Sequence, residues 1–267
     1  GELQKKPYAA AIHSICLLNE PTFPGTLQEP FLREQFKQYL EKKCGSVEGF
    51  NLAAKSDFAS FDAVLETGVS NPVVDAEFTL YRRNEMKNWA AFLADEVRKA
   101  WPGMPVHAKI MIMNSTFDKS HAIDPEMFAE ISDYNGNDNY GNYKEGGYIS
   151  DWVQFALGHE LQYSMKPVSI LNTENHIIRD SEPRAIPNDH VYTANFQQHV
   201  TGASGLVTWV SVDYMPEETE NVHKDLRQNI ALRPGDIIAH GIAALDAIRL
   251  APELRAFTAY EPEIGIL

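Results

Sequence analysis

The sequence predicts an α/β protein built on a parallel sheet that is buried on both faces. Short runs rich in Val, Ile, Leu and Ala recur along the chain. These runs alternate with apolar patterns at helical spacing. Five such strand positions can be counted, each followed by a helix or a long loop, as a buried parallel sheet requires.

The elements follow in order. Tyr8 to Leu18 (YAAAIHSICLL) reads as a buried strand, and a helix is expected from about Glu29 to Lys43. Gly45 to Asn71 matches neither period and is expected to be an irregular insertion. Pro72 to Ala100 is a long helix, because Phe78, Trp89, Phe92, Leu93 and Val97 recur at helical spacing until Pro102 and Gly103 stop it. Trp89 and Trp101 are expected to pack in the core. Val106 to Met113 (VHAKIMIM) is the second strand, and Phe128 to Tyr134 leads into a third, short extended segment. Ile149 to Tyr163 reads as helix, Val168 to Asn172 (VSILN) as strand and His190 to Val200 as helix. Leu206 to Val212 (LVTWVSV) is the last strand, followed by a helix from about Leu232 to Phe257. Pro262 to Leu267 (PEIGIL) opens a further strand, which assigns residues 1–257 to one domain and 258–267 to the start of another.

Composition narrows the function. In 267 residues, 44% are hydrophobic, enough for a sizeable core. There are 37 acidic residues against 23 Lys and Arg, a formal charge of −14. Such a field repels nucleic acid and anionic membranes, so neither is an expected partner. No apolar run approaches the roughly 20 residues of a membrane helix. Two cysteines, Cys16 and Cys44, exclude a disulfide scaffold and a four-cysteine zinc site. The chain opens Gly1-Glu2-Leu3, so its natural start is expected upstream and no compartment can be read.

Two acids stand at strand ends. Glu20 lies in Asn19-Glu20-Pro21 after the first strand, and Glu174 lies in Asn172-Thr173-Glu174-Asn175-His176 after the strand VSILN. Taken singly, the first is also compatible with a helix-start turn and the second with a surface loop. Together they form the pair that glycoside hydrolysis needs, one acid to protonate the leaving oxygen and one carboxylate to attack the anomeric carbon. His176, two residues from Glu174, is the histidine expected at the site, whereas His13 and His107 are expected to be packed or satisfied within strands. The loop Asp133 to Tyr148 is dense in Asn, Tyr and Gly, and Asn137, Asp138 and Tyr140 are its candidates for sugar binding. A calcium loop is rejected there, because its sixth and twelfth positions hold Asp138 and Lys144. His159-Glu160 lacks the second histidine of a zinc protease, since Tyr163 stands in its place. Neither a phosphate-cradling glycine loop nor a Gly-x-Ser-x-Gly elbow is present. No metal or organic cofactor is expected.

On these residues the sequence resembles the large (β/α)8-barrel clan of retaining glycosidases, clan A. That clan carries its acid/base in an Asn-Glu motif after the fourth strand and its nucleophile after the seventh. The resemblance makes VHAKIMIM the fifth strand, the segment near Asp133 the sixth, VSILN the seventh and LVTWVSV the eighth. It implies Glu20 as acid/base, Glu174 as nucleophile, Asn19 on the substrate's 2-hydroxyl and Trp209 as a sugar platform. The passages AALDAIRL, APEL and EPEIGIL, with HAKIM earlier, look like trimeric β-galactosidases or β-mannosidases, whose barrel leads into a flavodoxin-like domain. Two features differ: Asn-Glu-Tyr is common in the β-galactosidases where Asn-Glu-Pro stands here, and many members carry a cysteine zinc cluster.

The resemblance therefore implies a TIM barrel of which this chain supplies about strands 4–8. A missing N-terminal barrel segment is expected to complete it, since a whole barrel takes roughly 250 residues. The implied function is hydrolysis of terminal β-linked sugars with a carbohydrate as substrate and a homo-oligomer, a trimer, as assembly. An agarase-like endo-enzyme and a sugar-binding pseudoenzyme are the alternatives.

Overall fold

Among the described residues, five short strands run parallel and in chain order. β1 (Ile15–Asn19) pairs with β2 (Val106–Lys109), placing Ile15 opposite Val106 and Asn19 opposite Lys109. β3 (Asn135–Asn137), β4 (Ile170–Asn175) and β5 (Ala203–Thr208) form a second parallel run. A parallel bridge from Ile110 to Asn137 joins the two runs. The computed structural model describes residues 1–113, 118–140, 148–178, 186–209 and 233–259. Parallel crossovers are right-handed, so steps of one strand in one direction bring every crossover helix to the same face. Such winding curves toward a barrel and differs from a doubly wound sheet.

The first crossover is the longest. It holds α1 (Pro30–Cys44), α2 (Val47–Ala54), α3 (Phe61–Thr67) and α4 (Pro72–Ala100). The expected irregular insertion at 45–71 is thus corrected to two short helices. Ser46 accepts from the Gly49 N–H and Ser60 from the Ala63 N–H, two N-caps that satisfy otherwise orphaned donors. Their apolar residues close a satellite core in which Phe50, Phe61, Val64 and Leu65 meet Phe36, Val74 and Phe78. α4 starts where expected, because Asn71 caps it and Pro72 suits the first turn. The core role expected of Trp89 is corrected: it is half exposed and stacks on the equally exposed Phe92.

Later elements shift by a few residues. The first strand begins at Ile15, because Ala9–Ala11 coil into a 3-10 turn. Phe128, expected to lead an extended segment, lies in α5 (Pro125–Ile131), and the third strand is Asn135–Asn137. α6 (Tyr148–Met165) and α7 (Asn188–Val200) match their expected helices. The single helix expected near 232–257 is two, α8 (Pro234–Arg249) and α9 (Ala251–Thr258), parted at Leu250 ahead of Pro252. Residues 210–212 of the expected last strand, 232, and the expected strand at 262–267 lie outside the described residues. No described helix is long and apolar enough to cross a membrane.

The strands bury their lower ends tightly. Gly136 in β3 has no room for a side chain, since a Cβ there would sit 2.4 Å from the Ala108 carbonyl oxygen and 2.7 Å from the His107 ring. Beneath β2, Ala108, Ile110 and Ile112 pack with Ala90 of α4 and Phe128 of α5.

Candidate active site

Because the strands are parallel, their C-terminal ends open on one side, and each end carries a polar or aromatic residue. Glu20 follows β1, Lys109 ends β2, Asp138 follows β3, Glu174 is the penultimate residue of β4 and Trp209 follows β5. The backbone holds these positions. The Glu20 N–H donates to the Lys109 carbonyl at 2.8 Å, the Asp138 N–H to the Ile110 carbonyl at 3.3 Å and the Trp209 N–H to the Asn175 carbonyl at 3.2 Å. Glu20 has a φ of 45°, which costs a non-glycine residue energy and is tolerated where the surroundings force it.

The site centres on Lys109. Its ammonium contacts Glu174 Oε2 and lies 3.6 Å from Glu20 Oε1, with only 6% of its side chain exposed. A buried ammonium is costly unless paired, and here two carboxylates pair with it. His176 completes the pairing, its Nε2 lying 3.0 Å from Glu174 Oε1. Both Glu174 oxygens therefore face a positive or donating group, which favours the ionised carboxylate.

Asp138 has the opposite environment. Both its carboxyl oxygens are buried with no hydrogen-bond partner within reach. Burial first, then the neighbouring Glu20, push its pKa up to about 7, while Lys109 pulls the other way.

Aromatic rings wall the Glu174 side. His176 stacks on Trp209 with centroids 5.7 Å apart and meets the edge of Tyr140 at 5.1 Å. Trp209 is 40% exposed. Beneath the acids a chain of amides crosses the sheet. Asn172 Nδ2 donates to the Asn139 carbonyl (2.7 Å) and to Gln198 Oε1 (2.8 Å). Gln198 donates to Asn175 Oδ1, Asn175 donates to Asn195 Oδ1, and Asn195 donates to His240 Nδ1. The Asn172 Oδ1 accepts from the Glu174 N–H, which ties this network to the site. Arg82, nearly buried, reaches from α4 to the carbonyls of Phe23, Lys119 and Ser120 and binds the loops after β1 and β2 together.

No protein-family model and no curated protein matches the chain. Solved structures do match it. An apo exo-carrageenase GH42 from Bacteroides ovatus superposes with a TM-score of 0.71 over 90% of this chain and 36% of its own, at 18% identity. A β-galactosidase from the psychrophilic Marinomonas ef1 gives 0.59 over 84% and 38%, at 14% identity. An exo-β-agarase gives 0.53 over 96% and 34%, at 12% identity. The chain shares their fold. It spans little more than a third of the length of these proteins.

The shared fold brings Glu20, Asp138, Glu174, His176, Tyr140 and Trp209 to one end of the sheet, as the contacts above describe. Asn19 stands exposed at the end of β1, beside Lys109 on β2. Asn137 is different, because it is fully buried and its amide donates to Gln162 Oε1, which makes it part of the wall beneath the opening. The rest of the loop, residues 141–147, lies outside the described residues. Sequence reasoning missed Lys109 and the amide chain. A lysine inside the apolar run VHAKIMIM was the available signal, since a charge in a buried strand needs a partner.

Proposed function

We propose that the chain forms the acid-bearing part of the barrel of a retaining, exo-acting β-glycosidase that takes terminal β-galactosides. The observation that supports it best is the meeting of Glu20 and Glu174, from non-adjacent strands, at Lys109. In this reading the five strands are the barrel's fourth to eighth. Their outer edges on β1 and β5 have no strand partner among the described residues, which supports completion by further polypeptide. A flavodoxin-like domain and a trimer belong to the same reading.

The chemistry follows from the environments. Glu174, beside Lys109 and His176, is ionised and attacks the anomeric carbon. Glu20, carrying a proton, gives it to the glycosidic oxygen as the carbon–oxygen bond breaks and its electrons pass to that oxygen. A glycosyl ester on Glu174 results. Water then attacks the same carbon while Glu20, now a carboxylate, takes the water's proton, and Glu174 is released. Two inversions leave the configuration unchanged. Retention calls for carboxyl groups about 5 to 5.5 Å apart. Trp209 and Tyr140 suit the C–H faces of a pyranose, and Asn19 suits its 2-hydroxyl.

Galactose is preferred over mannose because the matched structures include a β-galactosidase, and exo over endo action because two of them are an exo-carrageenase and an exo-β-agarase. One observation favours a binding-only protein instead. Both Glu174 oxygens are engaged, which would also suit a carboxylate that grips a sugar without attacking it. Aryl β-galactosides and β-mannosides incubated with the full-length protein decide between them. Release of phenol with a β-configured first product supports the proposal, and sugar binding without turnover supports the alternative.

A further inference from the structure

We propose that Gln198 is a positioning residue whose side-chain amide clamps both ends of a bulge in β4 and thereby aims Glu174 into the site. This rests on the glycosidase reading above and deepens it, since Gln198 acts through the nucleophile and touches no substrate.

The register of β4 carries the argument. Asn172 faces Leu206 of β5, and Asn175 faces Thr208. Thr173 and Glu174 therefore stand together opposite Val207 alone, which makes a bulge. On a regular strand, residues two apart share a face and residues three apart point to opposite faces. β4 breaks both rules. Asn172 and Asn175, three apart, are fully buried and reach the same side chain, that of Gln198 on α7. Glu174, two residues after Asn172, turns instead to Lys109 on β2. The extra residue reconciles these directions, as bulges beside active sites do when they re-aim a side chain.

Gln198 meets both ends of that bulge. Its Oε1 accepts from Asn172 Nδ2 at 2.8 Å, and its Nε2 donates to Asn175 Oδ1 at 2.9 Å. Nε2 also donates to the Ala194 carbonyl at 3.2 Å, one turn back, which fixes the amide against its own helix. The side chain is fully buried, so no bulk water replaces a lost bond. At the near end, Asn172 donates to the Asn139 carbonyl and its Oδ1 takes the Glu174 N–H at 3.3 Å. A bulge lacks ladder bonds of its own, and a slip of one residue sends every side chain beyond it to the other face. Such a slip would carry Glu174 away from Lys109. The clamp opposes it.

The test uses the full-length protein and Q198M, which keeps the length of the side chain and loses its bonds. A crystal structure of the variant reads the aim of Glu174 whether or not any sugar is cleaved. The expected result is a changed β4–β5 register with the Glu174 carboxylate away from Lys109. An unchanged bulge with Glu174 still against Lys109 overturns the inference. Kinetics give the second readout. On aryl β-galactosides kcat should fall by up to about a hundredfold, the cost of a misplaced reacting group. KM should stay within about twofold, because ground-state binding is untouched. In E174A, where azide replaces the carboxylate, adding Q198M should change the rescued rate by less than about twofold, since no nucleophile remains to be aimed. An equal loss in both backgrounds points to a general structural role and overturns the inference. V64A, which loosens the satellite core of α1–α4, shows what lost stability alone does and should keep the parent kcat. A V64A loss as large as that of Q198M would also overturn it. Should Q198M fail to fold, Q198E carries the same measurements: it keeps the acceptor for Asn172 and, when ionised, has no donor for Asn175. Should the register change as expected while the parent cleaves no glycoside, the clamp stands and the glycosidase reading falls.

Discussion

Glu20 and Glu174 sit on strands separated by two others, yet a single ammonium, that of Lys109, serves both. The lysine contacts Glu174 and lies 3.6 Å from Glu20, so one cation faces both carboxyls. Two acids of the same chemical type thereby meet at one cation while only Glu174 also meets His176.

Replacing Glu174 by Ala should remove hydrolysis of aryl β-galactosides by several powers of ten, as for a covalent nucleophile. Added azide should restore some turnover and yield the glycosyl azide of inverted configuration. Undiminished hydrolysis in E174A would exclude Glu174 as nucleophile.

Substituting Lys109 by Met should cost both stability and rate. It leaves two part-buried carboxylates without their cation, and the loss should stay below the roughly 3–5 kcal/mol of a fully buried pair. Without that charge the nucleophile is harder to ionise, so the acid limb of kcat/KM moves to higher pH. An unshifted acid limb in a folded K109M would mean that Lys109 does not set the ionisation of Glu174.

Stability should fall on acidification through the histidines. Burial lowers the pKa of His107 to about 4, His159 to about 3 and His240 to about 4, so all three fold as neutral rings. The unfolded chain binds protons on them below about pH 6.5, and stability declines from there toward pH 4 by about 1.4 kcal/mol per unit for each ring at most. Asp138 acts in the reverse sense over the same window, because its raised pKa makes stability fall as pH rises toward about 7. Three rings outweigh one carboxyl. Thermal melts at pH 4.5 and 6.5 (about two units apart) should show the lower pH to be less stable, and equal melting temperatures would contradict the neutral-ring assignment.

Cutting the amide chain should destabilise without touching a charge. In Q198L, the buried Asn172 donor and Asn175 acceptor lose partners, at about 1–3 kcal/mol for each group left unsatisfied. Urea unfolding measures the loss, and a variant as stable as the parent would show that the chain is not needed.

Gly136→Ala should be worse still for its size. The added Cβ meets a backbone carbonyl and the His107 ring in β2, so β2 and β3 must move apart. A fall in melting temperature is expected, together with weaker hydrolysis, because the same two strands carry Lys109 and Asp138 to the site.

Several elements were legible from the residues alone. Asn71-Pro72 at one end and Pro102-Gly103 at the other announce α4, and apolar runs mark four of the five strands. Other assignments failed for local reasons. Phe128 reads as extended, yet Asp124 and Pro125 start a helix that buries it. Trp89 has the helical spacing of a core residue, but the described structure places no element over it.

The residues by themselves determined the alternation of strand and helix, and with it which acids end a strand. Those facts are local, written in period and punctuation. Only the folded chain decided that Lys109 stands between two of those acids and that both oxygens of Asp138 are buried. The reason is physical: parallel strands bring residues together by register and sheet order, and the ionisation of each carboxyl depends on neighbours that lie close in space but remote along the chain.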